Sequence, residues 1–261
     1  MTPLLQDKNT IVYGGGGSIG GGVARTFARE GARVFLAGRT REPLEAAAAE
    51  IADAGGRAEV AVLDVLDAEA VDEHAAAVAA KTGAIDATFL AIKRGDVQGT
   101  PLIEMTDDQV TRAVTTGLLA THHTARAAAR KMTEQGSGAI LTLTSATSAA
   151  PSPGMGSTGP TDAAIETYLQ TLAHEVGPQG VRVACLWTAA VVETLTTEKM
   201  AEVSGVKLDP AEVEKTIAGM SVLRRAPRLQ QFADTVAFLA SDRAAGITAT
   251  KVNVTAGLVP R

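Results

Sequence analysis

The chain has 261 residues, 46% hydrophobic and only 3% aromatic, and no linker or charge block divides it, so one domain with a core of Ala, Val, Leu and Ile is expected. A formal net charge of −5 without a basic cluster argues against a nucleic-acid partner, and no apolar run is long enough to span a bilayer. The single cysteine, Cys185, excludes disulfides within the chain, consistent with a reducing cytoplasm and with no export.

The first predicted strand, 10–13, runs into the stretch YGGGGSIGGG, and a helix is expected over 19–30. Gly15, Gly17 and Gly20 satisfy G-x-G-x-x-G between that strand and that helix. Glycine there lets the backbone turn tightly and approach a pyrophosphate at the helix N-terminus. A plain connecting turn would carry the same glycines, but the placement favours a nucleotide.

The second strand, 33–37, ends at Gly38-Arg39-Thr40-Arg41, where no acid is available for a ribose 2′-hydroxyl. Arg39, helped by Arg41, instead suits a 2′-phosphate, which favours NADP(H) over NAD(H). Alternatively both are solvated helix-entry residues, a reading that fits Arg41 better than Arg39.

Helices are then expected over 42–54, 68–81, 118–134, 163–176 and 230–240, and strands over 58–63, 85–91, 139–144, 181–187 and 250–254. Regular alternation of this kind predicts an α/β fold, a single-domain Rossmann-like doubly wound parallel sheet of seven strands, with ligands at the carboxyl ends of the strands. His122 and His123 are adjacent, face different ways on a helix and read as packing or interface residues; His74 and His174 read as surface residues. No cluster has metal-ligand spacing, so no metal is expected. Cys185 reads as a buried core residue and Tyr168 as an interface residue. The segment 191–225 contains two weakly amphipathic stretches, and Met200, Val203, Val206 and Met220 either line an apolar pocket or pack over the sheet.

Taken together, YGGGGSIGGG, GARVFLAGR, LDV (63–65), ILTLTS (140–145), AAIETYLQTLAHEVGPQGVRV (163–183) and FLASDRAAGITATKVNVTAG (238–257) resemble the short-chain dehydrogenase/reductase family over nearly the whole chain. The resemblance implies a nicotinamide cofactor held by the turn Gly14, Gly15, Gly17, Ser18, Ile19 and Gly20, an adenine beside Asp64 and Val65, and a carboxamide near Thr194. It also implies a small carbonyl or alcohol substrate, a lid at 191–225 and a homotetramer or homodimer built through helices 118–134 and 163–176.

The departures fall on the chemistry. In the family's T-G-x-x-x-G-x-G, Tyr13 replaces threonine and Ser18 the middle glycine, where it either bonds to phosphate or crowds it. N-N-A-G becomes Leu90-Ala91-Ile92-Lys93, and the P-G after the sixth strand becomes Thr188-Ala189. The catalytic tyrosine falls on Thr158, the lysine on Asp162 and the asparagine on Gly117, leaving only Ser145. A threonine hydroxyl is too weak an acid to replace an activated tyrosine. Lys93, with Arg94 as a second cation, is expected either to pair with Asp162 or share the cofactor pocket, or else to lie exposed on a loop. Three readings follow: an oxidoreductase whose proton comes through Ser145 or Lys93, a cofactor-binding or structural protein without hydride chemistry, and a non-redox enzyme with Asp162 as base.

Overall fold

The computed structural model describes residues 3–197 and 209–259. Seven strands, β1 (Asn9–Tyr13), β2 (Arg33–Gly38), β3 (Arg57–Val62), β4 (Ala87–Leu90), β5 (Gly138–Ser145), β6 (Val181–Thr188) and β7 (Thr250–Asn253), form one parallel sheet in the order β3-β2-β1-β4-β5-β6-β7. The winding direction reverses between β1 and β4, which opens a crevice above their carboxyl ends.

Neighbouring residues on β1 show how the core is divided. Val12 packs into a cluster with Phe27, Phe89, Leu186 and Phe232, whereas Ile11 and Tyr13 join Met132, Ile140, Leu169 and Cys185 on the other face. Alternating side chains of a strand point to opposite faces, and both are apolar here because helices cover both. α1 (Ser18–Arg29) and α7 (Leu229–Ala240) cover the first face; α3 (Ala68–Thr82), α4 (Asp107–Gln135) and α5 (Thr158–Val176) cover the second. α2 (Arg41–Asp53) packs beside β2 and β3, and α6 (Pro210–Met220) precedes α7. Buried alanines on α4, such as Ala120, Ala125 and Ala128, offset the scarcity of large side chains by permitting close approach.

The strands lie where the hydrophobic pattern puts them, but two helices begin earlier than expected. α4 starts at Asp107, behind a Thr106–Gln109 capping box, rather than at 118. Its first turns contain Thr111, Val114, Thr115, Thr116 and Gly117, poor helix formers whose placement is fixed by packing and by the cap. α5 starts at Thr158 instead of 163. Gly159 and Pro160 disguise that start, although proline costs no hydrogen bond in the first turn.

His74 is not a surface residue: its Nδ1 is buried, its ring meets the Tyr13 ring edge-on at 6.2 Å, and burial lowers its pKa. Met220 is 69% exposed on α6, so it neither packs over the sheet nor sits in an enclosed pocket; Met200, Val203 and Val206 lie outside the described residues. Among the described residues, no helix is long and apolar enough to cross a membrane, and no group of three His, Cys, Asp or Glu side chains is placed to hold a metal.

Candidate active site

The glycine turn after β1 forms one wall of a cleft of about 370 Å³ at the reversal point. Gly14 adopts φ +83°, and a side chain there would collide with the Ala91 carbonyl oxygen. Gly20, inside α1, sits so close to Gly14 that a Cβ would strike its carbonyl oxygen. Gly15 is buried against Leu36 and shapes the turn from below, while Gly16, which the motif did not single out, lines the cleft with Gly14 and Gly17. Ser18 is exposed at the first position of α1, and Ile19 packs against the core. No side chain caps α1 and its first turn has no acid, so its N–H groups suit an anion.

The cleft is also lined by Arg39, Asp64, Val65 and Lys93. Arg39 is exposed and makes no ion pair among the described residues, whereas Arg41 is paired with Glu45 at 3.2 Å. Asp64 Oδ1 accepts the Leu66 N–H at 3.0 Å, which fixes its turn. The buried His123 imidazole donates from Nδ1 to the Val65 carbonyl at 2.9 Å, a contact from α4 that no local pattern announces. A turn in which Gly14 and Gly20 leave no room for a side chain, an uncapped helix N-terminus and two cations against one carboxylate fit the phosphates of a dinucleotide.

Ile92 also lines a second, smaller cavity, next to the catalytic positions. There Asp162, at the start of α5, has no exposed surface. Its partner is Arg94 and not Lys93: Arg94 Nη1 donates to Asp162 Oδ1 at 2.6 Å, while Nε and Nη2 hold Asp96 at 3.2 and 2.9 Å. Lys93 faces the nucleotide cleft instead. Gly117 makes the arrangement possible, since a Cβ on it would lie 2.9 Å from Arg94 Cδ and 2.9 Å from Thr161 Cγ2. Gly117, which the resemblance aligns with the family's asparagine, thus leaves room for the Arg94 side chain.

Asp162 Oδ2 is held from β5. The Ser145 backbone N–H donates to it at 3.1 Å, and Ser145 Oγ lies 2.5 Å away, with Thr147 Oγ1 at 2.8 Å on the other side of the hydroxyl. Burial raises the Asp162 pKa above its ordinary value, against the pull of Arg94 and of the Ser145 hydrogen bonds. Burial also opposes the charge on Arg94, but Asp162 and Asp96 outweigh it and raise its pKa. With both carboxylates ionised, Asp96, Arg94 and Asp162 together carry one net negative charge.

The other expected residues lie apart. Thr158 is only 4% exposed, and its Oγ1 accepts from Gln98 Nε2 at 3.1 Å. Thr194 Oγ1 donates to the Val191 carbonyl at 2.8 Å and lines neither cavity. Glu166, one turn beyond Asp162, is a second buried carboxylate, held by Trp187 Nε1 at 2.7 Å, by Ser148 and by Lys251 at 3.3 Å. Arg94, expected only as a second cation beside Lys93, is the residue that pairs with Asp162, and Glu166 was not anticipated because its partners are distant in sequence.

The seven-stranded parallel sheet with helices on both faces is the fold of a known class of proteins. The family model for enoyl-(acyl carrier protein) reductases matches residues 15–259. The short-chain reductase protein NovJ of Streptomyces niveus is 30% identical over 97% of this chain and 95% of its own. A short-chain dehydrogenase/reductase structure from Mycobacterium ulcerans superposes with a TM-score of 0.87 at 25% identity, covering 98% of this chain and 91% of that one. An NAD+-bound xylitol dehydrogenase gives 0.84 at 27% identity, covering 97% and 99%. The chain belongs to the short-chain dehydrogenase/reductase family, whose relatives include oxidoreductases that bind NAD(P).

Proposed function

We propose that this protein is an NADP(H)-dependent oxidoreductase acting on a small carbonyl compound, alcohol or imine, with a Ser145–Asp162 pair in place of the family's tyrosine and lysine. The observation that carries the reading is the 2.5 Å contact between Ser145 Oγ and the buried Asp162 Oδ2, beside a cleft lined by Gly14, Gly16 and Gly17. Gly14, Gly16, Gly17, Asp64 and Val65 would hold the cofactor, with Arg39 and Lys93 available to a 2′-phosphate. When bound, the nicotinamide would supply or accept the hydride.

In alcohol oxidation the substrate hydroxyl gives its proton to Ser145 Oγ as Ser145 passes its own to Asp162 Oδ2. Reduction runs the same path backwards, from a protonated Asp162 through Ser145 to the developing alkoxide. The ionised trio is net negative and cannot stabilise an alkoxide as a lysine would, so a proton must arrive with the hydride. Arg94 fixes the carboxylate. Thr158 is too far enclosed to serve as the acid, and both oxygens of Asp162 are already engaged, which speaks against its acting directly on substrate as a base.

The functional assembly we propose is a homotetramer or homodimer through α4 and α5, where His122 Nδ1 and Tyr168 Oη meet at 2.9 Å. The segment 191–225 is proposed as the substrate cover. The test is calorimetric titration with NADPH and NADH, followed by transfer from 4-deuterated NADPH to a panel of small ketones and cyclic imines. Tighter NADPH binding with labelled product supports the reading. NADPH binding without labelled product would instead favour a cofactor-binding protein without hydride chemistry.

A further inference from the structure

The sign of the charge beside Ser145 discriminates among substrate classes. Among the described residues, Arg94 is the one cation that lines the smaller cavity, and two carboxylates share it, Asp162 at 2.6 Å and Asp96 at 2.9 Å. Lys93 lines the nucleotide cleft instead. A proton on Asp162 brings the trio to zero, and passing that proton on through Ser145 returns it to one net negative charge. An oxyanion formed beside this charge is repelled, whereas a cation formed there is held.

A carbonyl oxygen is too weak a base to take a proton from a carboxylic acid before the hydride arrives, so reduction of a ketone builds anionic character where the site disfavours it. An imine nitrogen is a far stronger base. It takes the proton first, and the resulting iminium is both the better hydride acceptor and the counterion of Asp162. The cavity walls suit a carbon skeleton: Leu90, Ile92, Leu143 and Ile165 make the lining mainly apolar. Its volume of about 140 Å³ is close to the roughly 150 Å³ of an apolar cavity that holds a benzene ring. Open-chain imines hydrolyse in water, and closing the ring protects them.

Resting on the oxidoreductase reading, we propose that the substrate is a small apolar cyclic imine, protonated in place and reduced to the cyclic amine. Asp162 gives its proton to Ser145 Oγ as Ser145 gives its own to the imine nitrogen. The iminium carbon then takes the hydride with its electron pair from NADPH, and the C=N π pair becomes the lone pair of the amine. One proton from solvent and one hydride are consumed for each amine formed, leaving NADP+; oxidation of the amine reverses each transfer. Asp96 is a specificity-determining residue here, because it sets the net charge without touching the reacting atoms.

The experiment measures kcat/KM for deuteride transfer from labelled NADPH to a six-membered cyclic imine and to cyclohexanone, in the wild type and in Asp96→Asn. The wild type should prefer the imine by at least about tenfold, and Asp96→Asn should narrow that preference about tenfold, the effect of one charge roughly 10 Å away. The ratio of the two substrates separates lost charge from general damage, which lowers both rates together, and the wild-type preference stands as a test without the variant. Cyclohexanone reduced as well as the imine overturns the proposal and leaves the oxidoreductase reading standing. A preference that Asp96→Asn leaves unchanged overturns the proposal as well. Transfer to neither substrate, nor to any other ketone or imine, overturns the reading and the proposal together.

Discussion

Arg94 Nη1 and Asp162 Oδ1 lie 2.6 Å apart and tie the loop after β4 to the first turn of α5, across the place where the family keeps its catalytic lysine. The loop carries the cation and the helix the anion. Removing one partner leaves the other buried and uncompensated, so Arg94→Met or Asp162→Leu alone should cost about 3–5 kcal/mol in urea unfolding. The double variant Arg94→Met/Asp162→Leu should recover much of that loss. Additive losses would show that the two do not act as a pair.

Gly117 should tolerate no return to the family pattern. Gly117→Asn places its Cβ 2.9 Å from Arg94 Cδ and Thr161 Cγ2, so stability should fall by about 1–3 kcal/mol. Activity should not rise, because the asparagine would displace Arg94 from Asp162. Unchanged melting and intact turnover would contradict the packing.

Cofactor preference should reside in two cations. Arg39→Ala should weaken NADPH binding about tenfold, the loss of a charge-assisted hydrogen bond at an exposed site, while leaving NADH affinity nearly unchanged. Lys93→Ala should weaken NADPH further and flatten its salt dependence, as read by calorimetry at two ionic strengths. Equal losses for the two cofactors would place both cations away from the 2′-phosphate.

The pH dependence follows from the Asp162 pKa, which burial raises. Reduction uses the protonated acid, so its rate should be flat at low pH and fall as pH rises through the folded-state pKa of Asp162, above the ordinary carboxylate value. Oxidation uses the carboxylate and should rise over the same interval. The groups that act on Asp162 are Arg94 and Ser145; the buried Cys185 thiol, in the middle of β6, feels its charge and has its pKa raised chiefly by burial, and Asp96 is held by Arg94. Reduction that quickens with rising pH would have the wrong sign.

The strands and the glycine cradle were legible because they depend on short-range rules: period-two apolar runs, and glycines where a backbone must turn and be approached closely. The absence of the tyrosine, lysine and asparagine could be read from the family resemblance. Their replacement could not. Arg94 and Lys93 are neighbours in sequence with the same charge, and only the turn after β4 decides that one reaches Asp162 while the other faces the nucleotide cleft. The early start of α4 was hidden by β-branched residues and Gly117, whose lack of a side chain makes sense only with Arg94 lying across it. His74 looked like a surface residue in a charge-rich helix until the fold set its ring against Tyr13.

The most direct measurement is single-turnover deuteride transfer from labelled NADPH, followed by mass spectrometry, in wild type, Ser145→Ala and Asp162→Asn. The expected result is labelled product from the wild type and a loss of about 10²- to 10⁴-fold in each variant with NADPH still bound. Transfer by Asp162→Asn at the wild-type rate would contradict the Ser145–Asp162 relay.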